Sequence, residues 1–293
     1  MPATEYGENL RRGIRLLDDQ LINQIAAGEV IERPASLLKE LLENSLDAGA
    51  TAIHVEAERG GIKRIQVSDN GIGIPPEELS LALSRHATSK ISEFDDLYRV
   101  NTLGFRGEAL PSIGAVSRLW IRSRVASDNS GWSLSCFGGS VEDEPSPLAM
   151  NPGTILEVSD LFFNTPARRK FLKTEKTELG HMDDAIRRVA LNRFDVGLSF
   201  SHNGRPVFNV QPAHTVVERE KRLAVLMGKP FAEQSLWIDE QQEDLKLSGW
   251  IGLPTFSRSQ RDMQYFFVNG RPVRDYLINH AVRRAYNDVL YHG

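Results

Sequence analysis

The sequence predicts an α/β (α+β) chain built as two domains. Three observations carry that expectation. Leu37, Leu38, Leu41, Leu42 and Leu46 form a helical stripe that stops at Gly49. Strand-like runs at 52–57 and 64–68 follow at once, joined around Gly60-Gly61. The 293 residues, 41% of them hydrophobic, hold enough apolar material for one large or two ordinary domains.

The elements follow in order. Residues 1–14 read as a flexible polar arm. The spacing of Leu21, Ile22, Ile25 and Ala26 predicts a helix over 18–31, and Pro34 sits where the next helix begins. After the two strands, Asn70-Gly71-Ile72-Gly73-Ile74-Pro75-Pro76 predicts a loop, and 77–84 a short helix. Residues 85–107 lack clean periodicity and read as a flexible loop. A helix over 108–116 precedes strands at 119–125, 132–137 and 154–158. Near Asn164-Thr165-Pro166 the character changes, and a basic segment, 168–173, leads into a helix over 178–192. Asn203-Gly204 is a hairpin turn dipeptide. Further strands are expected at 244–251 and 263–269, and a last helix over 276–289. The two domains meet within 190–205, giving 15–200 and 201–293 as their expected extents.

Composition excludes several classes. The single cysteine, Cys136, closes no internal disulfide and points to a reducing, cytoplasmic setting. It reads as a buried core thiol. One cysteine and dispersed histidines also exclude a structural zinc site. No apolar run has the length of a membrane span, and the N-terminus lacks a signal-type apolar stretch. The net charge of −4 argues against a uniformly basic nucleic-acid binder, but its distribution is uneven. Residues 1–160 carry 15 basic and 24 acidic side chains, whereas residues 161–230 carry 13 and 7. The basic middle, with Arg168, Arg169, Arg187 and Arg188, is where a salt-sensitive contact to DNA phosphates is expected.

Three patterns carry chemistry. Glu40 and Asn44 are spaced i, i+4 and project from one helix face. A carboxylate there can activate a water, and an amide oxygen there can hold a hard cation such as Mg²⁺. Glu43 and Asp47 form a second such pair, so spacing leaves Glu40 and Glu43 as alternative bases. Taken alone, the pattern also describes a solvated amphipathic face. Asp69-Asn70-Gly71-Ile72-Gly73 follows a strand, where the carboxylate can accept from an exocyclic amino group and glycines allow close backbone approach. The same residues also suit a plain turn. Neither common phosphate loop is present: there is no G-x-x-x-x-G-K-[ST], and Gly71-x-Gly73 runs into prolines. Finally, His86-Ala87-Thr88-Ser89-Lys90 and Gly104-Phe105-Arg106-Gly107 bracket the flexible loop. The second leads into a helix start, where free N–H groups favour an anion.

In this order, an E-x-x-x-N helix, a D-x-G-x-G turn, a glycine-rich lid and a strand opening Gly153-Thr154 resemble the ATP-binding motifs of the GHKL ATPases. Longer stretches are more specific. Residues 23–34 (NQIAAGEVIERP), 85–90 (RHATSK), 104–110 (GFRGEAL), 160–172 (DLFFNTPARRKFL) and 268–274 (VNGRPVR) look like MutL-type mismatch-repair motifs. The likeness covers essentially residues 15–293. It implies a GHKL (Bergerat) sandwich with a mixed sheet, followed by an α/β domain like domain 2 of ribosomal protein S5.

The resemblance also implies roles. Glu40, rather than Glu43, would be the water-activating base, and Asn44 would ligate Mg²⁺. Asp69 would bind the adenine amino group of ATP, with Gly71 and Gly73 shaping the pocket and Thr154 beside them. Thr88, Ser89 and Lys90 would lie by the nucleotide, and Gly104, Phe105, Arg106 and Gly107 would close over its phosphates. Such proteins are slow ATP-dependent switches in DNA mismatch repair that dimerise through this region on nucleotide binding. Their partners are DNA, a MutS-type mismatch sensor, and a downstream endonuclease and helicase. A nucleoid-associated cytoplasmic location follows. The family's H-P-A-K lysine would come after the last helix, so the second domain is expected to be truncated at its C-terminus. A gyrase-B-type ATPase and an ATP-gated binding scaffold without useful turnover are the alternatives. A histidine-kinase reading lacks a phosphoacceptor helix.

Overall fold

The computed structural model describes residues 30–90, 107–141, 144–256 and 263–290, together with Leu16, Asp18, Ile22, Ile25, Ala27 and Gly28. Ile22, Ile25, Ala27, Gly28 and Val30 are helical, as the 18–31 spacing predicts. The arm at 1–14, and Gly104, Phe105 and Arg106, lie outside the described residues.

The helix α1 (Pro34–Asp47) opens on a proline at its first turn and ends before Gly49, whose φ of +72° only glycine adopts easily. Leu37, Leu38, Leu41, Leu42 and Leu46 are all buried. Each leucine so covered is worth roughly 2 kcal/mol. The opposite face carries Lys39, Glu40, Glu43, Asn44 and Asp47, none of them fully buried.

Beneath α1 lies a mixed sheet. Its strands are β1 (Ala52–Glu58), β2 (Arg64–Asp69), β3 (Arg118–Arg124), β4 (Gly131–Phe137), β5 (Ser140–Val141), β6 (Ser146–Leu148), β7 (Gly153–Ser159), β8 (Gly197–His202) and β9 (Arg205–Val210). The order is β5-β4-β3-β7-β2-β1-β8-β9, with β6 on β4. The β1–β8 pair is parallel and the other pairs are antiparallel. Burial alternates along the strands. Ile53, Val55, Ile65, Val67, Leu119, Ile121, Leu156, Val158, Leu198 and Phe200 point into one core. The helices α2 (Pro76–Ala82), α3 (Ala109–Val116), α4 (Pro166–Arg169) and α5 (Glu175–Asn192) complete this unit. Met182, Ile186 and Ala190 of α5 are buried in the same core.

The β8–β9 hairpin turns at Asn203 (φ 50°) and Gly204 (φ 73°), the two positive angles that an Asn-Gly turn supplies. The division expected between residues 200 and 201 falls inside β8. The sheet takes in residues up to Val210 because β8 pairs with β1 and carries β9 at the edge.

Beyond it come α6 (Val216–Met227), α7 (Lys229–Glu233), the hairpin β10 (Ser235–Gln242) and β11 (Leu245–Gly252), the pair β12 (Phe266–Val268) and β13 (Arg271–Val273), and α8 (Tyr276–Leu290). Sequence periodicity reveals neither α6 nor β10. In α6 the buried positions are only Arg222, Leu223 and Leu226, so its apolar stripe is narrow and interrupted by a cation. A capping box, Thr215 with Glu218, starts it and supplies about 1 kcal/mol.

Arg222 is one tie between the two units. It is 3% exposed, and its guanidinium donates to the carbonyls of Ala190 (2.8 Å), Arg193 (3.0 Å), Val196 (2.7 Å) and Gln211 (2.7 Å). Burial pulls its pKa down to about 10, so it remains charged at neutral pH.

Candidate functional site

The site forms where the exposed face of α1 meets the ends of β2 and β7. Glu40 and Asn44 lie one turn apart on that face. Burial pushes the Glu43 carboxyl up from its ordinary value. Lys39, 3.4 Å away, opposes the rise, while Glu40 and Asp47 add to it.

Asp69 closes β2. Its Oδ2 accepts from Ser45 Oγ at 2.8 Å, and its Oδ1 from Gly71 N at 2.9 Å. Burial raises its pKa, with the Gly71, Ser45 and Thr154 hydrogen bonds working the other way. The result is a mostly buried carboxylate, joined by Ser45 to the helix that carries Glu40 and Asn44. Ser45 was not singled out from sequence, since a lone serine on an apolar helix face carries no signal.

The glycines after Asp69 are sterically required. A Cβ on Gly71 would lie 2.8 Å from Ala48 O. Gly73 has φ +79°, and a Cβ there would lie 2.3 Å from Arg124 O. Asn70 braces the same corner, accepting from Thr51 N and Ala52 N at 2.9 Å each. Thr154 pairs with Asp69 across β2–β7 and is buried. Its Oγ1 is 3.0 Å from Ser123 Oγ, which also accepts from Ile74 N at 2.7 Å. Ser123 was likewise missed, because only the β3–β7 pairing brings it beside Thr154.

The segment 84–90 folds across the end of α1. Lys90 Nζ donates to Asn44 Oδ1 at 2.8 Å and to Asp47 Oδ2 at 2.6 Å. Thr88 Oγ1 accepts from Lys90 N at 3.2 Å, and Ser89 is exposed. Gly107 packs against Ala87, with room for no Cβ, as one would lie 2.4 Å from Ala87 O. Ala87 and Gly107 therefore lie side by side. Asn44, Asp69, Gly71, Gly73, Lys90 and Thr154 are thus tied to one corner of the sheet, with Glu40 one turn back on α1, Thr88 on Lys90 N and Gly107 against Ala87. Among the described residues no group of three or more His, Cys, Asp or Glu side chains is placed to hold a metal.

The four arginines of the basic middle expected to meet DNA are engaged differently. Arg187 pairs with Asp183 at 2.7 Å, donates to Leu226 O and stacks on Phe208. Arg188 pairs with Asp184 at 2.9 Å and covers the Tyr265 ring. The Arg168 guanidinium fills the space above Gly28 and donates to Ile25 O at 3.4 Å. Arg169 is exposed, as are Lys170, Phe171 and Lys173. Cys136 is buried in the core. Among the described residues no helix is long and apolar enough to cross a membrane.

A family model described as histidine kinase-, DNA gyrase B- and HSP90-like ATPase matches residues 32–135. A second, DNA mismatch repair protein C-terminal domain, matches residues 223–293. The chain is 55% identical over 282 residues to DNA mismatch repair protein MutL of Cellvibrio japonicus, covering 96% of this chain and 45% of that protein. It is 57% identical over 280 residues to the MutL of Pseudomonas entomophila, covering 96% and 44%. The chain therefore spans somewhat less than half the length of these curated relatives. Among solved structures, the Aquifex aeolicus MutL ATPase domain complexed with ADP matches with a TM-score of 0.67 and 30% identity. That match covers 87% of this chain and 88% of the other.

Proposed function

The chain belongs to the MutL family of DNA mismatch-repair proteins, and on that premise we propose that its GHKL-type ATPase domain binds and slowly hydrolyses Mg²⁺·ATP as a switch in mismatch repair. The observation that carries this reading is the joining of Asp69 to α1 through Ser45, which puts a base-recognising carboxylate and the Glu40–Asn44 face on one rigid frame. Asp69, held by three hydrogen bonds, is the acceptor for the adenine amino group. Gly71 and Gly73 bring the backbone close to the base, and Thr154 lines the same wall.

Glu40 accepts the proton of the attacking water, and Asn44 offers its amide oxygen to the metal. Mg²⁺ suits this donor set. Asn44 Oδ1 is a hard oxygen that already accepts from one cation, the Lys90 ammonium, at 2.8 Å. When bound, the metal neutralises phosphate charge as the γ-phosphate is transferred. On this reading Thr88, Ser89 and Lys90 lie by the nucleotide, and Gly104, Phe105, Arg106 and Gly107 close over its phosphates.

The whole protein, on this reading, dimerises through this region when nucleotide binds. It engages DNA, a MutS-type sensor and a downstream endonuclease and helicase near the nucleoid. The DNA contact falls in the basic middle, with Arg168, Arg169, Arg187 and Arg188 as candidates and Arg169 the one whose charge is most exposed.

The test is ATP turnover by Glu40→Ala. Turnover falls by about 100-fold or more while binding of a non-hydrolysable ATP analogue is kept. Unchanged turnover would remove Glu40 as the base. Asn44→Ala instead loses Mg²⁺-dependent nucleotide binding.

A further inference from the structure

Lys90 does more in this structure than stand near a nucleotide site. Its ammonium sits between Asn44 Oδ1 (2.8 Å) and Asp47 Oδ2 (2.6 Å), and its side chain is only 19% exposed, that of Asp47 9%. Charge-assisted contacts as short as these, largely shielded from solvent, are strong and little screened by salt. Asn44 and Asp47 are i, i+3 neighbours on α1, so their oxygens converge on one point. Lys90 arrives there from a different element, 43 residues after Asp47, so the contact belongs to the tertiary fold.

Resting on the reading of Asn44 as a metal ligand, we propose that Lys90 is the resident counter-cation of the nucleotide-free site, parked by Asp47, and that it exchanges places with a divalent metal. An ammonium and a divalent cation repel each other at contact distance, and one amide oxygen does not serve both fully. Metal entry therefore requires Lys90 to leave Asn44. The incoming phosphates provide the anion to which it transfers, so binding of metal and of nucleotide are coupled through one side chain. Asp47 is on this account a positioning residue, since it holds the ammonium and touches neither substrate nor reacting atoms.

The experiment uses the 293-residue chain, fluorescently tagged ADP at fixed concentration, and titration with MgCl₂. Lys90→Met removes the competing charge, and the half-saturating Mg²⁺ concentration falls by about five-fold or more. Lys90→Gln repeats the test with a polar neutral side chain should Lys90→Met fold poorly. Lys90→Arg keeps the charge and stays close to wild type. A midpoint in Lys90→Met and Lys90→Gln equal to or above wild type, with tagged ADP still bound, overturns the exchange. Failure of the wild-type chain to bind tagged ADP at any Mg²⁺ concentration overturns instead the nucleotide-site reading on which it rests.

Discussion

The hydroxyl of Ser45 donates to the carboxylate of Asp69 across 2.8 Å, and this one bond couples the helix bearing Glu40 and Asn44 to the end of β2, where we propose that the base binds. Removing it leaves Asp69 more poorly solvated and loosens its aim. Ser45→Ala is expected to lower stability by about 1–2 kcal/mol in urea titration. It also weakens nucleotide affinity several-fold, with little further effect on turnover of bound ATP.

Asp69 also sets a pH dependence. Its folded pKa is raised by burial, so its contribution to stability is full below the unfolded value and is lost as pH rises through the folded one. Nucleotide binding has the opposite sense, because only the ionised carboxylate accepts its three protein bonds and also takes the amino group. Affinity for ADP therefore declines on acidification at a pH above that of an ordinary aspartate. Calorimetric titration of wild type against Asp69→Asn checks this: the variant binds weakly, and its residual affinity lacks that dependence.

Gly73→Ala tests the turn. With φ at +79° and Arg124 O 2.3 Å from a new Cβ, both the backbone and the neighbouring strand resist the change. The expected loss is at least about 2 kcal/mol, read by chemical denaturation. Gly49→Ala is the comparison, since its φ of +72° costs strain but no atom lies within 4 Å of a Cβ.

Arg222→Met strips four carbonyls of their donor in one step. A loss of about 3 kcal/mol or more is expected. Arg222→Lys recovers only a minor part, because an ammonium does not span four acceptors. Thermal melts of both variants measure it.

The basic middle separates by partner. Charge reversal at Arg169 with Lys170 is expected to weaken DNA binding at low salt and to reduce the salt slope by about 1–2. Reversal at Arg187 sets a carboxylate against Asp183, 2.7 Å from the present nitrogen, and lowers the melting temperature instead. Filter binding across a salt series, beside melts of each variant, distinguishes the two.

Much of the fold was legible because local chemistry wrote it. The leucine stripe of α1, the Asn203-Gly204 turn and the alternating strands announce themselves at spacings of 3.6 and 2. The order of Glu40, Asn44, Asp69, Gly71, Gly73 and Gly107 was equally legible, as each sits in a motif of fixed spacing. Other features had no local sign. The narrow stripe of α6, broken by Arg222, hid that helix, and the pairing of β8 with β1 carried the first sheet to Val210.

What the sequence by itself determined was the inventory: which carboxylates, amides and glycines the chain could bring to a nucleotide, and in which elements. Tertiary structure alone decided how they meet. Ser45 reaches Asp69, Ser123 reaches Thr154, Lys90 reaches Asn44 and Asp47, and Arg187 and Arg188 are spent on Asp183 and Asp184. The physical reason is that hydrogen bonds and ion pairs depend on ångström distances set by strand order and helix packing. A one-dimensional pattern fixes such distances only within a turn or two of its own element.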